Sequence, residues 1–383
     1  RTEGLYRVDT GRGLDVDPGS ASSPKADFQA SKKYPWLTFI QNSFGWNSMK
    51  AADNYVMRIW IVGLTVFAFS FARAAEPPRL TDLKHTFSII ATDPATGEFG
   101  AGVQTHWFNV GQGVIWAEAG VGAVASQSFL DPAYGAHGLA MMRQGKSAQE
   151  VLDELVEQDE DSHVRQVGMI DAQGNVANFT GASAIAEHCR IAGETYSVQA
   201  NLMWKPGVCK AMADSFETAQ GDLAGRIMIA LDAAQGAGGD IRGKQSAALL
   251  VVDGEKGTPD YIAQKFNLRV DDSNEPLKEL RRLLSVARAY RFMEKGDEHL
   301  AHGDAQSALD AFETAMKMMP DNHEMMFWTA VMLVGVGDIE RARPLFSKSF
   351  AMWPLWRELV PRLPESNLLP DDPALINQIV GIE

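Results

Sequence analysis

From Thr86 onward the strands and helices of this chain come in groups, and that grouping restricts the fold more than any other feature of the sequence. Thr86–Thr92 (TFSIIAT) alternates and is rich in β-branched residues, and residues 93–97 (DPATG) supply turn chemistry. Residues 100–107, 114–117 and 121–127 repeat the strand pattern with glycine at the joints. Two helices follow. Pro132 suits the first turn of one, and Gly145 stops it. Ser147 and Glu150 form a capping box for the next, which carries Val151, Leu152, Leu155 and Val156 on one face. Strands return at residues 164–171 and Val176–Thr180, and residues 196–201 fit the same sheet. Helices starting at Pro206 and Asp222 precede a last hairpin, Ser246–Val252 with residues 261–270. A βαβ repeat would alternate single elements. Groups of strands and helices imply antiparallel sheets covered by helices, a layered α+β domain.

After Pro276 the pattern becomes helical. Residues 277–300 read as one long amphipathic helix, and an internal repeat follows. Gly303, Asp304, Ala308, Phe312 and Pro320 recur as Gly337, Asp338, Ala342, Phe346 and Pro354, each 34 residues on. That offset is the period of tetratricopeptide helix pairs. Fewer than three such units rarely stand alone, so the pair is expected to lean on the helix at 277–300. It serves either as a groove for a protein partner or as a stabilising cap.

The formal charge of −14 argues against nucleic acid as a partner, since phosphate binding needs a basic footprint. Residues 1–56 show no sustained period and are expected to be an upstream segment without a fold of its own. Met57-Arg58, a short apolar run and the A-x-A at 72–74 have the three parts of a secretory signal, with a buried core helix as the alternative. A signal at 57–74 would place the mature protein in a periplasm or outside the cell, with no membrane span left after its removal. Cys189 and Cys209, the only cysteines, then form one short-loop disulfide or remain as buried thiols.

The familiar signatures for phosphate loops, zinc hydrolases, redox pairs and serine elbows are missing, and no His, Asp and Glu cluster has metal spacing. No metal or cofactor is therefore expected. Gly236-Ala-Gly-Gly239 follows a helix and precedes a strand, the reverse of a dinucleotide fingerprint. One polar constellation remains at strand ends. Asp240, Arg242 and Gln245 precede an apolar strand. Asp240 and Arg242 either pair with each other or present the guanidinium to a substrate carboxylate. Asn201 can donate its amide to an oxyanion, and Gln127 ends another strand. Asp240, Arg242, Gln245 and Gln127 are the candidate substrate contacts. His106 and His188 stand alone in the sequence.

The segments HTFSIIATDPATGEFGAGVQTHWFNVG, WAEAGVGAVASQ, DPAYGAHGLAMM, RQVGMIDAQGNVANFTG and GGDIRGKQSAALLVV resemble the domain of unknown function 1028. The likeness runs over about residues 85–272. It departs at Gln199-Ala200-Asn201, where the family usually carries Gly in the middle, and the Ala200 methyl argues against close approach of a substrate to that backbone. The resemblance implies an αββα sandwich of the N-terminal-nucleophile hydrolase type, over residues 85–272. The helical tetratricopeptide-like region would cover 277–356, and 357–383 would be a C-terminal tail. In such hydrolases the first residue of the mature chain is nucleophile and its α-amine the base. Thr86, where the first strand begins, holds the matching position, and catalysis would need a cut between His85 and Thr86. The expected activity is amide hydrolysis of an unidentified substrate, with Thr86 as nucleophile and Asn201 as oxyanion donor. The alternative is a non-catalytic module that binds a small molecule or peptide in the sandwich and a protein through the repeats. Assembly into a homo-oligomer is compatible with either.

Overall fold

The computed structural model describes Leu83, Lys84 and residues 86–383. The expectations for residues 1–56, the signal at 57–74 and the cut at His85–Thr86 involve positions outside the described residues. Among the described residues no helix is long and apolar enough to cross a membrane.

The fold is mixed α+β, with two antiparallel sheets and a helical C-terminal region. In chain order the strands are β1 (Leu83–Lys84), β2 (Thr86–Thr92), β3 (Phe99–Thr105), β4 (Ile115–Glu118), β5 (Gly122–Phe129), β6 (Arg165–Asp171) and β7 (Val176–Thr180). Then come β8 (Cys189–Ala192), β9 (Tyr196–Ala200), β10 (Ser246–Val252) and β11 (Gln264–Val270). The first sheet has the order β1-β5-β6-β7, with β4 also on β5. The second runs β11-β10-β3-β2-β9-β8.

Two helices, α1 (Ala133–Arg143) and α2 (Ala148–Gln158), lie between β5 and β6. The Ser147–Glu150 capping box is formed at the start of α2. Tyr134, Leu139, Val151 and Leu152 from these helices bury against Val124, Val167 and Met169 of the first sheet. Helices α3 (Val208–Thr218) and α4 (Leu223–Gly236) cover the second sheet. Phe216, Ile227 and Leu231 bury there against Phe87, Ile89, Val198 and Leu249. Gly100 and Gly102 allow this approach, because a Cβ at either would collide with Ile227. Between the sheets, Ile90, Ala101 and Val103 meet Ala123, Ala125 and Ile170.

Two expectations need correction here. Residues 196–201 do not join the sheet of β6 and β7: β9 crosses to the second sheet and pairs with β2 and β8. Its alternating pattern suits either sheet, and long-range pairing decides between them. Residues 261–263 belong to a short helix, Asp260–Ala263, and β11 starts only at Gln264.

Helix α5 (Pro276–Ala301) links two cores. Leu277, Leu280 and Leu284 bury with the second sheet, while Met293 and Leu300 pack on the helical core. Helices α6 (Ala305–Met318), α7 (His323–Gly335) and α8 (Ile339–Met352) follow. The 34-residue offset is a structural repeat. The Asp304 carboxylate accepts from Ser307 N at the start of α6, and Asp338 accepts from Arg341 N at the start of α8. Each is preceded by a glycine of positive φ, Gly303 and Gly337, as a tight reversal requires. Residues 357–383, expected as a C-terminal tail, pack on the helical core. Val360, Leu363, Leu369, Ile379 and Ile382 are buried in the same core as Phe312, Phe327 and Phe346, and α9 (Pro373–Val380) closes it.

Candidate functional site

The interior between the sheets changes character at one end. In the middle it is apolar. Towards the start of β2, inward positions of six strands carry polar side chains. The register sets Thr86 of β2 opposite Thr105 of β3, and Thr105 opposite Ser246 of β10. Three hydroxyl residues therefore stand in one row across the middle of the sheet. All three are fully buried. On the other side of Thr86, Ser88 pairs with Gln199 of β9. Facing them from the first sheet, Gln127 of β5 pairs with Gln166 of β6.

These groups form one hydrogen-bonded ladder that joins the two sheets. The Ser88 hydroxyl donates to Gln127 Oε1 at 2.7 Å, and Gln199 Nε2 donates to Ser88 Oγ at 2.7 Å. Gln127 Nε2 lies 3.1 Å from Thr86 O, 2.7 Å from Gln166 Oε1 and 3.2 Å from Gln199 O. Gln166 Nε2 reaches Thr180 Oγ1, Cys189 O and Ala200 O. Each amide shares two N–H groups among three acceptors. Asn201 contributes twice: its backbone N–H donates to Thr86 O at 3.1 Å, and its Nδ2 donates to Gln166 Oε1 at 3.0 Å. Buried amides are costly when unpaired, so this ladder fixes the spacing of the sheets as well as the Thr86 carbonyl.

Asp240 and Arg242 reach the same row from the side. The Asp240 carboxylate accepts from His106 N at 3.2 Å, Arg242 N at 2.9 Å, Arg242 Nε at 3.1 Å and Arg242 Nη2 at 2.7 Å. Its side chain is fully buried, and the chain's own groups fill its acceptor sites. Asp240 therefore positions Arg242. Arg242 Nη2 also lies 3.2 Å from Thr105 Oγ1, beside Thr86, and its side chain keeps 24% exposure. Gln245 turns away: its side chain donates to Asp272 and its backbone N–H to Thr105 O. His106 and His188 are exposed and stand outside the ladder.

Gln166, Gln199, Ser88 and Thr105 were missed in reading the sequence. A polar residue at an inward position of an otherwise alternating strand was the available signal. Among the described residues no group of three His, Cys, Asp or Glu could hold a metal ion.

Two braces hold this end. Cys189 of β8 is bonded to Cys209 of α3, so the strand whose carbonyl receives Gln166 is tied to the helix layer. Arg165, at the start of β6, donates to Phe129 O at 2.8 Å and to Asp159 Oδ2 at 2.8 Å. Burial alone would raise the Asp159 carboxyl, but the Arg165 hydrogen bond, with help from Asp161 N and Tyr134, holds it below the usual carboxylate range. The Tyr134 hydroxyl is pushed well up, first by burial and then by the Asp159 charge. Next to this pair, the backbone of β1 lies on β5, with Leu83 opposite Phe129 and Lys84 opposite Ser128.

The model of a family of unknown function, DUF1028, matches residues 86–280, half of the chain and all of the ladder. This chain belongs to that family. DUF1028 also describes a Silicibacter pomeroyi protein of known crystal structure, 29% identical to this chain over 53% of it and 89% of its own length, with a TM-score of 0.48. No curated protein matches the chain.

Proposed function

We propose that this DUF1028 protein is an exported amide-bond hydrolase of the N-terminal-nucleophile type, with Thr86 as nucleophile. The observation that carries the reading is the placement of Thr86. It opens a central strand, faces the inter-sheet space, and has its carbonyl held by both Asn201 N and Gln127 Nε2. A threonine hydroxyl is a weak nucleophile alone. A free α-amine on the same residue, with an ordinary pKa near ~8, is a suitable base near neutral pH.

The chemistry then runs as follows. The amine takes the hydroxyl proton as Oγ attacks the amide carbon. The side-chain amide of Asn201 serves as the oxyanion donor. The leaving nitrogen takes the proton from the ammonium, and water hydrolyses the resulting ester. Arg242, fixed by Asp240, holds a carboxylate of the substrate. Two sheets between helix layers fit the αββα arrangement of such hydrolases. The Cys189–Cys209 bond supports an oxidising compartment and so export.

Intact mass and N-terminal sequencing of protein recovered from the exported fraction test the reading. The expected chain begins at Thr86, and Thr86→Ala abolishes turnover on a panel of amide substrates while Thr86→Ser keeps part of it. Full amidase activity in Thr86→Ala would sink the nucleophile assignment.

A second reading rests on β1. With the chain running on ahead of Thr86 along β5, Thr86 is fully buried and its nitrogen is a peptide nitrogen. In that state the protein is a binding module, with its tetratricopeptide-like helices as the docking surface. An exported chain that begins ahead of β1 favours this second reading.

A further inference from the structure

A groove of about 580 Å³ lies in the helical region, between α5 and α7. Its walls are apolar and aromatic, with Met293, Leu300, Phe312, Trp328, Val331 and Met332. Its rim is acidic. Glu294 and Asp297 come from α5 and Glu324 from α7. The Tyr290 hydroxyl donates to Glu324 Oε2 at 2.6 Å and sets that carboxylate on the rim.

The charge on this rim is unbalanced. Some carboxylates elsewhere on these helices have arginine partners, Glu279 with Arg282, and Glu313 and Asp338 with Arg341. Among the described residues, Glu294, Asp297 and Glu324 have no ion-pair partner. Lys295, next to Glu294, lies over the Phe292 ring at 5.5 Å. Glu294 and Asp297 are three residues apart on one helix face, a like-charge spacing that disfavours the helix. The Asp297 carboxyl is raised above its ordinary value, by burial first and then by Glu294. A cation in the groove would relieve both effects. Aromatic faces and carboxylates together suit an organic ammonium, whose charge meets the rim and whose carbon body meets the wall.

We propose that this groove binds a small organic ammonium ion, a primary or quaternary amine carried on an apolar chain or ring. The site is separate from the Thr86 ladder and does not depend on it.

Titration of the full chain with phenethylammonium, followed by calorimetry and by tryptophan fluorescence, tests the proposal. The neutral probe 3-phenylpropanol and the anionic probe 3-phenylpropionate serve as controls. Saturable binding of the ammonium is expected, at least tenfold tighter than the alcohol, with no binding of the carboxylate. The double variant Glu294→Gln/Asp297→Asn should weaken the ammonium at least tenfold and leave the alcohol unchanged. A thermal midpoint no lower than that of the parent chain is the folding control. Equal binding of ammonium and alcohol, no binding of either, or an unaffected double variant would overturn the proposal. A lysine-bearing peptide that bound more than tenfold tighter than the amine would also overturn it, in favour of a protein segment.

Discussion

The two halves of this molecule solve burial in opposite ways. The inter-sheet space near Thr86 is filled by amides and hydroxyls that partner one another across the sheets. The helical core is filled by rings, with Phe327 stacked on Trp356 at 4.3 Å and Phe346 beside Phe350 at 5.5 Å. Apolar packing tolerates exchange among residues of similar volume. A buried polar ladder does not, because each group is specified by its partner. Chemistry that needs a fixed donor or a fixed carbonyl is therefore expected in the sandwich. Binding that needs shape and charge fits the helices.

Truncation should produce the largest loss in the apolar half. Phe346→Ala is expected to cost about 4 kcal/mol, read from the urea midpoint, while Phe346→Leu costs only about 1 kcal/mol. In the polar half the ordering should reverse with respect to volume. Gln166→Leu keeps the volume yet removes one partner from Gln127, from Asn201 and from three acceptors, so about 3 kcal/mol is expected from the same measurement. A Gln166→Leu cost equal to that of Phe346→Leu would break the distinction between the two interiors.

A smaller effect sharpens it by pH. Asp159 has a lowered carboxyl, held by Arg165, and both side chains are largely buried. A lowered carboxyl stabilises the fold above its unfolded pKa, near ~3.9, and that contribution is lost as pH falls through the folded value. Asp159→Asn should therefore cost about 2 kcal/mol at pH 7, with the difference from the parent chain vanishing under strongly acidic conditions. A constant difference across that range in pH-dependent urea melts would show that the charge contributes nothing.

Local signals in the sequence translated well. The Ser147 capping box, the glycine–aspartate pair at the 34-residue offset and the antiparallel grouping all depend on residues close together in the chain. Pairings at long range did not translate. Ser88 meets Gln199 across 111 residues and Gln127 meets Gln166 across 39, and no local pattern selects those partners. For the same reason the alternation of β9 does not select the sheet it joins. Asp240 and Arg242, two residues apart, were legible as a pair. That the pair touches Thr105, 137 residues earlier, was not.

The bond between Cys189 and Cys209 gives the ladder a covalent anchor at its edge. Gln166 sends one of its hydrogen bonds to the carbonyl of Cys189, on the outermost strand of its sheet. While the thiols are reduced, that strand has lost its tether to α3, and edge strands are the first to fray. Oxidation pins it and completes the set of acceptors around Gln166. A covalent bond to the helix layer thereby secures one of the acceptors on which the polar interior depends.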